Sequence, residues 1–253
     1  MSAAAPADWY RTSFAENHAA LYRAEDGPGQ VALAMEILRP AGGERVLDLA
    51  CGTGGRLLEL CRRGFDAVGS DVRQGLLEAA LGESEIAGLE PWFIEGDPRE
   101  LGAVEDFDIV LSLGAGAFGH CGSDEEDLRA FEAVAAALRP GGRLLAQLPN
   151  RLNVEAALPD RTWIESDGAR DTIEQRWDGN AGRIQGTRAS VLLDDPDLED
   201  TAPSPFQRRV YSLEELETML ERAGLTLAGI YNEAGANRPP LVEQWEVYVV
   251  ARK

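Results

Sequence analysis

The chain has 253 residues, 44% of them hydrophobic and 27% charged, the proportions of a folded globular protein and not of a disordered or fibrous one. Its 24 basic against 44 acidic side chains leave a formal net charge of −20. That charge repels phosphate backbones and anionic membranes, so neither nucleic acid nor a membrane surface is the expected partner.

In chain order, Asp8 to Arg23 reads as a short helix carrying Trp9, Phe14, Leu21 and Tyr22, broken by Glu25-Asp26-Gly27-Pro28-Gly29. A helix with Val31, Leu33, Ala34, Ile37 and Leu38 apolar follows, closed by Pro40-Ala41-Gly42-Gly43. Strands are predicted at Arg45–Ala50, Ala67–Asp71, Trp92–Glu95, Phe107–Leu113 and Arg143–Leu148, with amphipathic helices between them. Ser123-Asp124-Glu125-Glu126 and Ser212-Leu213-Glu214-Glu215 have the form of capping boxes. Apolar strands alternating with helices specify a doubly wound α/β fold, a mostly parallel sheet covered on both faces.

After Pro149 the rhythm changes. Thr172–Trp177 and Arg183–Arg188 flank a Gly/Asn turn and predict an antiparallel hairpin, with a third strand from Phe206 to Tyr211. Leu225–Tyr231 and Gln244–Ala251 are the last strands. The expected organisation is a leader (1–44), a Rossmann-like core (45–149), an inserted antiparallel β cap (150–210) and a segment completing the core sheet (211–253).

Cys51, Cys61 and Cys121 lack the number and the C-x-x-C spacing of a disulfide framework, a structural zinc or a redox pair. Met1 to Asp8 has no signal-peptide pattern, and no run approaches the roughly 18 apolar residues of a membrane span. A soluble, cytoplasmic protein is expected. No His/Asp cluster has metal-ligand spacing, so no metal is expected.

The informative stretch is Val46-Leu47-Asp48-Leu49-Ala50-Cys51-Gly52-Thr53-Gly54-Gly55, a strand entering a glycine turn that opens a helix. Such a turn lets backbone approach a ligand, and the helix N-terminus favours negative charge. The dinucleotide pattern G-x-G-x-x-G requires a glycine where Leu57 stands, and Asp48 suits a cation better than a pyrophosphate. Asp71, about 20 residues beyond the turn, occupies the place of a ribose-binding acid, and Asp97 repeats the strand-then-acid arrangement.

These residues resemble the motifs of the class I S-adenosylmethionine-dependent methyltransferases, over nearly the whole chain. Val46 to Gly54 is similar to the family's first motif, Asp71 to its ribose-binding acid and Glu95-Gly96-Asp97 to its adenine-contacting motif. Phe107-Asp108-Ile109-Val110 and Leu138-Arg139-Pro140-Gly141-Gly142 resemble its fourth-strand motif and the turn after it. The resemblance implies seven strands, the last antiparallel, with S-adenosylmethionine as cofactor and S-adenosylhomocysteine as product. It implies a cofactor site of Tyr22, Asp48, Ala50, Gly52, Thr53, Gly54, Asp71, Val72, Asp97, Pro98, Leu113 and Phe118.

Phe118-Gly119-His120 and Leu148-Pro149-Asn150-Arg151 look like segments of small-molecule methyltransferases, which implies a small-molecule acceptor and a monomer or homodimer. His120 stands where an aromatic residue is usual, and Leu113-Gly114-Ala115-Gly116-Ala117 is unusually small. His120 is the candidate general base for an oxygen or nitrogen acceptor; packing beside the pocket is its other reading. Tyr10, Phe14, Asn150, Arg151, Trp163 and Arg176 are the candidate acceptor-side residues. A non-methylating cofactor-binding protein on the same scaffold and a nicotinamide oxidoreductase are the competing functions.

Overall fold

The computed structural model describes residues 5–12, 27–102, 106–114, 116–166, 169–192, 203–233, 235 and 241–253. A one-turn helix, α1 (Trp9–Thr12), precedes α2 (Gly27–Leu38). The rest of the predicted leader helix, with Phe14, His18 and Tyr22, lies outside the described residues. Gly27-Pro28-Gly29, expected to break a helix, forms the first turn of α2 instead. A proline is tolerated there because its missing N–H has no intrahelical acceptor.

Strand and helix then alternate as β1 (Arg45–Leu49), α3 (Gly55–Arg62), β2 (Asp66–Asp71), α4 (Gln74–Ala87), β3 (Trp92–Glu95), β4 (Phe107–Ser112), α5 (Asp124–Ala137) and β5 (Leu138–Pro149). The second half holds α6 (Arg151–Ala157), β6 (Arg161–Ser166), β7 (Ala169–Asp178), β8 (Arg183–Leu192), β9 (Ser204–Arg209), α7 (Leu213–Arg222), β10 (Thr226–Tyr231) and β11 (Glu246–Arg252). The main sheet has seven strands in the order β10-β11-β5-β4-β1-β2-β3, and β11 runs antiparallel to both neighbours. This is the doubly wound sheet expected from the sequence.

Alternate residues of one strand face opposite layers. Leu47, Leu49, Val110 and Leu144 pack with Leu128, Phe131 and Val134 of α5 and Leu216 and Leu220 of α7. Val46, Ile109, Leu111 and Leu145 pack instead with Val31 and Ala34 of α2 and Leu57 and Leu60 of α3. Each fully buried side chain of this kind contributes about 1.5–3 kcal/mol. Two faces of comparable apolarity fix the register of each central strand.

The second sheet is antiparallel, β6-β7-β8-β9. Its β7–β8 hairpin is the predicted one, lengthened at both ends; β6 and α6 were not foreseen. In β6 the two large apolar residues, Trp163 and Ile164, are adjacent, so the alternation that betrays a strand is missing, and Trp163 is 66% exposed. β9 ends two residues before the predicted Tyr211 because Val210 and Tyr211 turn into other packing. The Tyr211 hydroxyl donates to Asp127 Oδ2 at 2.6 Å. At the junction of the sheets, Arg209 donates to Asp124, Gly182 O and Val210 O, and Arg183 donates to Cys121 O and Asp124.

Both capping sites start helices. Ser212 and Glu215 exchange the reciprocal bonds of a full box, whereas Ser123 Oγ accepts from Glu126 N and the Glu126 carboxylate turns to Arg99. No helix among the described residues is long and apolar enough to cross a membrane.

Candidate active site

β1 ends in a sharp reversal. Ala50 has φ +58° and Gly54 φ +83°, and a Cβ on Gly54 would lie 2.9 Å from the Cβ of Ala80 in α4. Glycine is required at that crossing. Ala50 holds a left-handed conformation that costs an alanine of order 1 kcal/mol, and Arg56 pins its carbonyl at 3.0 Å.

The reversal opens a cavity of about 400 Å³ at the carboxyl ends of β1, β2, β3 and β4, where doubly wound folds bind ligands. Its wall takes Leu49 to Thr53 from the first turn, Ser70, Asp71 and Val72 from the second, Gly96 and Pro98 from the third, and Leu113, Gly116, Ala117 and His120 from the fourth. Tyr10 of α1, Gly27 and Pro28 of α2, Arg56 and Arg62 of α3 and Arg73 also border it. Asp71 accepts from Gly52 N on Oδ2 and from Arg73 N on Oδ1, both at 3.0 Å, so the glycine loop and the end of β2 are tied through the carboxylate.

Of the sequence-predicted cofactor residues, Ala50, Gly52, Thr53, Asp71, Val72, Pro98 and Leu113 line the cavity, and Gly54 shapes it from behind. Three are placed differently. Asp48 is fully buried and its Oδ1 accepts from Arg56 Nε at 3.0 Å, so the cation it meets is an arginine of the chain itself. Phe118 is 1% exposed and stacks on Phe131, centroids 4.0 Å apart; it is core, not wall. Asp97 turns away between Gly96 and Pro98. Burial works to raise its pKa, but hydrogen bonds from Arg99 and Tyr10 outweigh it and hold the carboxyl well below the usual range.

Among the described residues of the predicted acceptor side only Tyr10 reaches the cavity; Phe14 lies outside them. Asn150 caps α6 through Leu152 N and donates to Leu241 O and Gln244 O. Arg151 pairs with Glu155 and Glu215 and stacks on Trp177. Trp163 is exposed on β6, and Arg176 binds Gln185 on an exposed face. Asn150 closes the chain on itself, and the other three lie on or beside outward faces.

His120 is 8% exposed and borders the cavity. Its loop is fixed on every side: Ala117 N donates to Ser112 Oγ, Cys121 N to Asp127 Oδ1 and Arg209 N to Gly119 O. Gly119 has φ +84°, and a Cβ there would sit 2.5 Å from Arg209 O. Trp9 Nε1 donates to His120 O at 3.1 Å, with the rings 5.4 Å apart. On Cys51, also on the wall, burial and then the charges of Asp48 and Asp71 push the thiol well above its usual range and so favour its protonated form. Among the described residues no group of three His, Cys, Asp or Glu could hold a metal.

Sequence reasoning missed Arg56, Ser70, Arg73 and Trp9. Arg56 was findable as the cation nearest a buried acid; the others carry no local signal.

Residues 46–142 match the family model described as a methyltransferase domain. The chain is 27% identical over 191 residues to "Putative methyltransferase YqeM" of Bacillus subtilis (strain 168), covering 72% of this chain and 74% of that protein. It is 34% identical over 152 residues to glycine N-methyltransferase of Rattus norvegicus, 53% of this chain and about half (52%) of that protein's length. The CcbJ methyltransferase of Streptomyces caelestis has the same fold, with a TM-score of 0.77 at 17% identity over 96% of this chain and 98% of its own. Sheet order, cavity and family match agree: residues 46–142 match a methyltransferase domain, set in a fold shared with S-adenosylmethionine-dependent methyltransferases of known structure.

Proposed function

We propose that the chain transfers the methyl group of S-adenosylmethionine to an oxygen or nitrogen of a small molecule. The observation that carries this reading is the cavity itself. It lies at the carboxyl ends of four adjacent strands, with the Asp71 carboxylate on its wall and a two-glycine turn as its floor. Its volume suits a ligand of nucleoside size. Asp71 has acceptor capacity for a ribose diol beyond the Gly52 and Arg73 bonds. The name of the rat relative, glycine N-methyltransferase, supports a small acceptor with a nitrogen nucleophile.

When bound, the cofactor supplies a methyl group on a positively charged sulfur. The chain supplies orientation, which contributes about 7–11 kcal/mol in well-aligned systems, and a wall that includes Tyr10, Leu113 and Ala117 and limits water. The His120 imidazole would take the proton that the acceptor sheds on methylation. Leu113, Gly116 and Ala117 leave room beside His120.

Calorimetric titration with S-adenosylhomocysteine and NAD tests the cofactor, with binding of the first alone expected. A methyl-transfer assay over a panel of amines, alcohols and phenols tests the acceptor; cofactor binding with no transfer to any of them would favour a non-methylating role. His120→Ala should leave S-adenosylhomocysteine affinity nearly unchanged and lower turnover about 100-fold. Full turnover in that variant removes His120 from the chemistry.

A further inference from the structure

Asp97 stands where the family resemblance implies an adenine contact, yet its side chain has no exposed surface. Oδ1 accepts from Arg99 N at 2.9 Å and Arg99 Nε at 2.7 Å. Oδ2 accepts from the Tyr10 hydroxyl at 2.7 Å, Arg11 Nη2 at 2.7 Å and Arg99 Nη2 at 2.8 Å. A carboxylate offers about four lone-pair sites. The donors already present fill them, and no capacity is left for the amino group of a base.

Two of these donors come from α1, and the same turn of helix holds other parts of the rim. Arg99 Nη2 also donates to the Tyr10 hydroxyl at 2.7 Å and Arg99 pairs with Glu126 of α5. Trp9 bonds His120 O and packs against Phe206 of β9, centroids 5.8 Å apart. One carboxylate after β3 therefore anchors a helix that reaches the loop after β4 and the edge of the second sheet.

We infer that Asp97 is a positioning residue: it fastens α1 across the rim, so that Tyr10 closes the cavity and Trp9 fixes the His120 loop, and it does not read the adenine base. The inference rests on the cavity being the cofactor site. It assigns the cofactor's grip partly to a latch made of Tyr10, Arg11, Asp97 and Arg99. Asp97→Asn puts an amide N–H₂ against arginine donors and removes the counter-charge of two guanidinium groups, so the latch loosens.

The test uses the full chain with S-adenosylhomocysteine and its inosine analogue, in which an oxo group replaces the adenine amine. Asp97→Asn should weaken both ligands by the same factor, about tenfold or more, leaving their ratio at the wild-type value. Trypsin should cut after Arg11 faster than in wild type. Tyr10→Phe, which removes only a hydroxyl, should reproduce the faster cutting, and adding it to Asp97→Asn should cost little more. A changed adenosine-to-inosine ratio, or unaltered cutting after Arg11 in Asp97→Asn, overturns the inference. If wild type binds neither ligand, the cofactor reading fails, while the trypsin comparison still decides the latch.

Discussion

At the end of β2, Ser70 is fully buried on the cavity wall, and its hydroxyl has no hydrogen-bond partner among the described residues. An unsatisfied buried hydroxyl contributes nothing to the ligand-free fold and retains its desolvation cost. Ser70→Ala should therefore unfold in urea at the wild-type midpoint or slightly above it. A loss of more than about 1 kcal/mol would reveal a partner for the hydroxyl. Residue-scale reasoning from sequence placed Asp71 at the end of the second strand, and there it lines the cavity, its place set by one strand and one turn. For Asp48 and Asp97 it found the position and not the arginine partners. Each lies near an arginine in the chain, Arg56 eight residues on and Arg99 two residues on, and a carboxylate losing its water takes the nearest cation.

At the scale of elements, the two sheets are joined by polar contacts as well as by apolar packing. Val154, Ile184 and Val210 form a small apolar cluster there, and Arg183 and Arg209, each 7% exposed, satisfy carbonyls of Cys121, Gly182 and Val210. Arg209→Ala takes the guanidinium from Val210 O and from Gly182 O, which keeps Val210 N, and leaves Asp124 to Arg183 and Glu215 to Arg151. A stability loss of about 2–3 kcal/mol follows, measurable by urea denaturation, while the backbone bond from residue 209 N to Gly119 O beside His120 survives the substitution. A midpoint equal to wild type would show the junction to be carried by the apolar cluster alone. The hairpin and the main-sheet elements were legible because period-2 alternation, capping serines and glycine stops are local features. The exposed tryptophan of β6 and the seven-residue α6 had no such pattern to read.

Across the whole molecule, buried phenols set the alkaline limit of stability. Burial, with the Glu246 and Glu233 charges, pushes the Tyr248 pKa from 10.0 up to about 12. Burial, then Asp97 and Asp127 respectively, drives Tyr10 and Tyr211 higher still. The native state therefore keeps protons that the unfolded chain releases near pH 10. Stability is full below pH 10 and falls as pH rises from about 10 to about 12. Thermal melts between pH 9 and 12 should show a declining midpoint, and Tyr248→Phe should flatten part of that slope; a flat profile in wild type would contradict the burial of these groups.

The sequence by itself determined the doubly wound sheet, the glycine turn with an acid at the end of the next strand, and the family resemblance, since apolar periodicity and short motifs are properties of neighbouring residues. Only the tertiary structure decided which acids face the cavity, that α1 is tied to Asp97, and that the predicted acceptor residues of the second sheet point elsewhere. Those outcomes depend on which charges meet once water is excluded, and the partners are brought together by folding across 86 residues between Arg11 and Asp97 and 111 between Trp9 and His120.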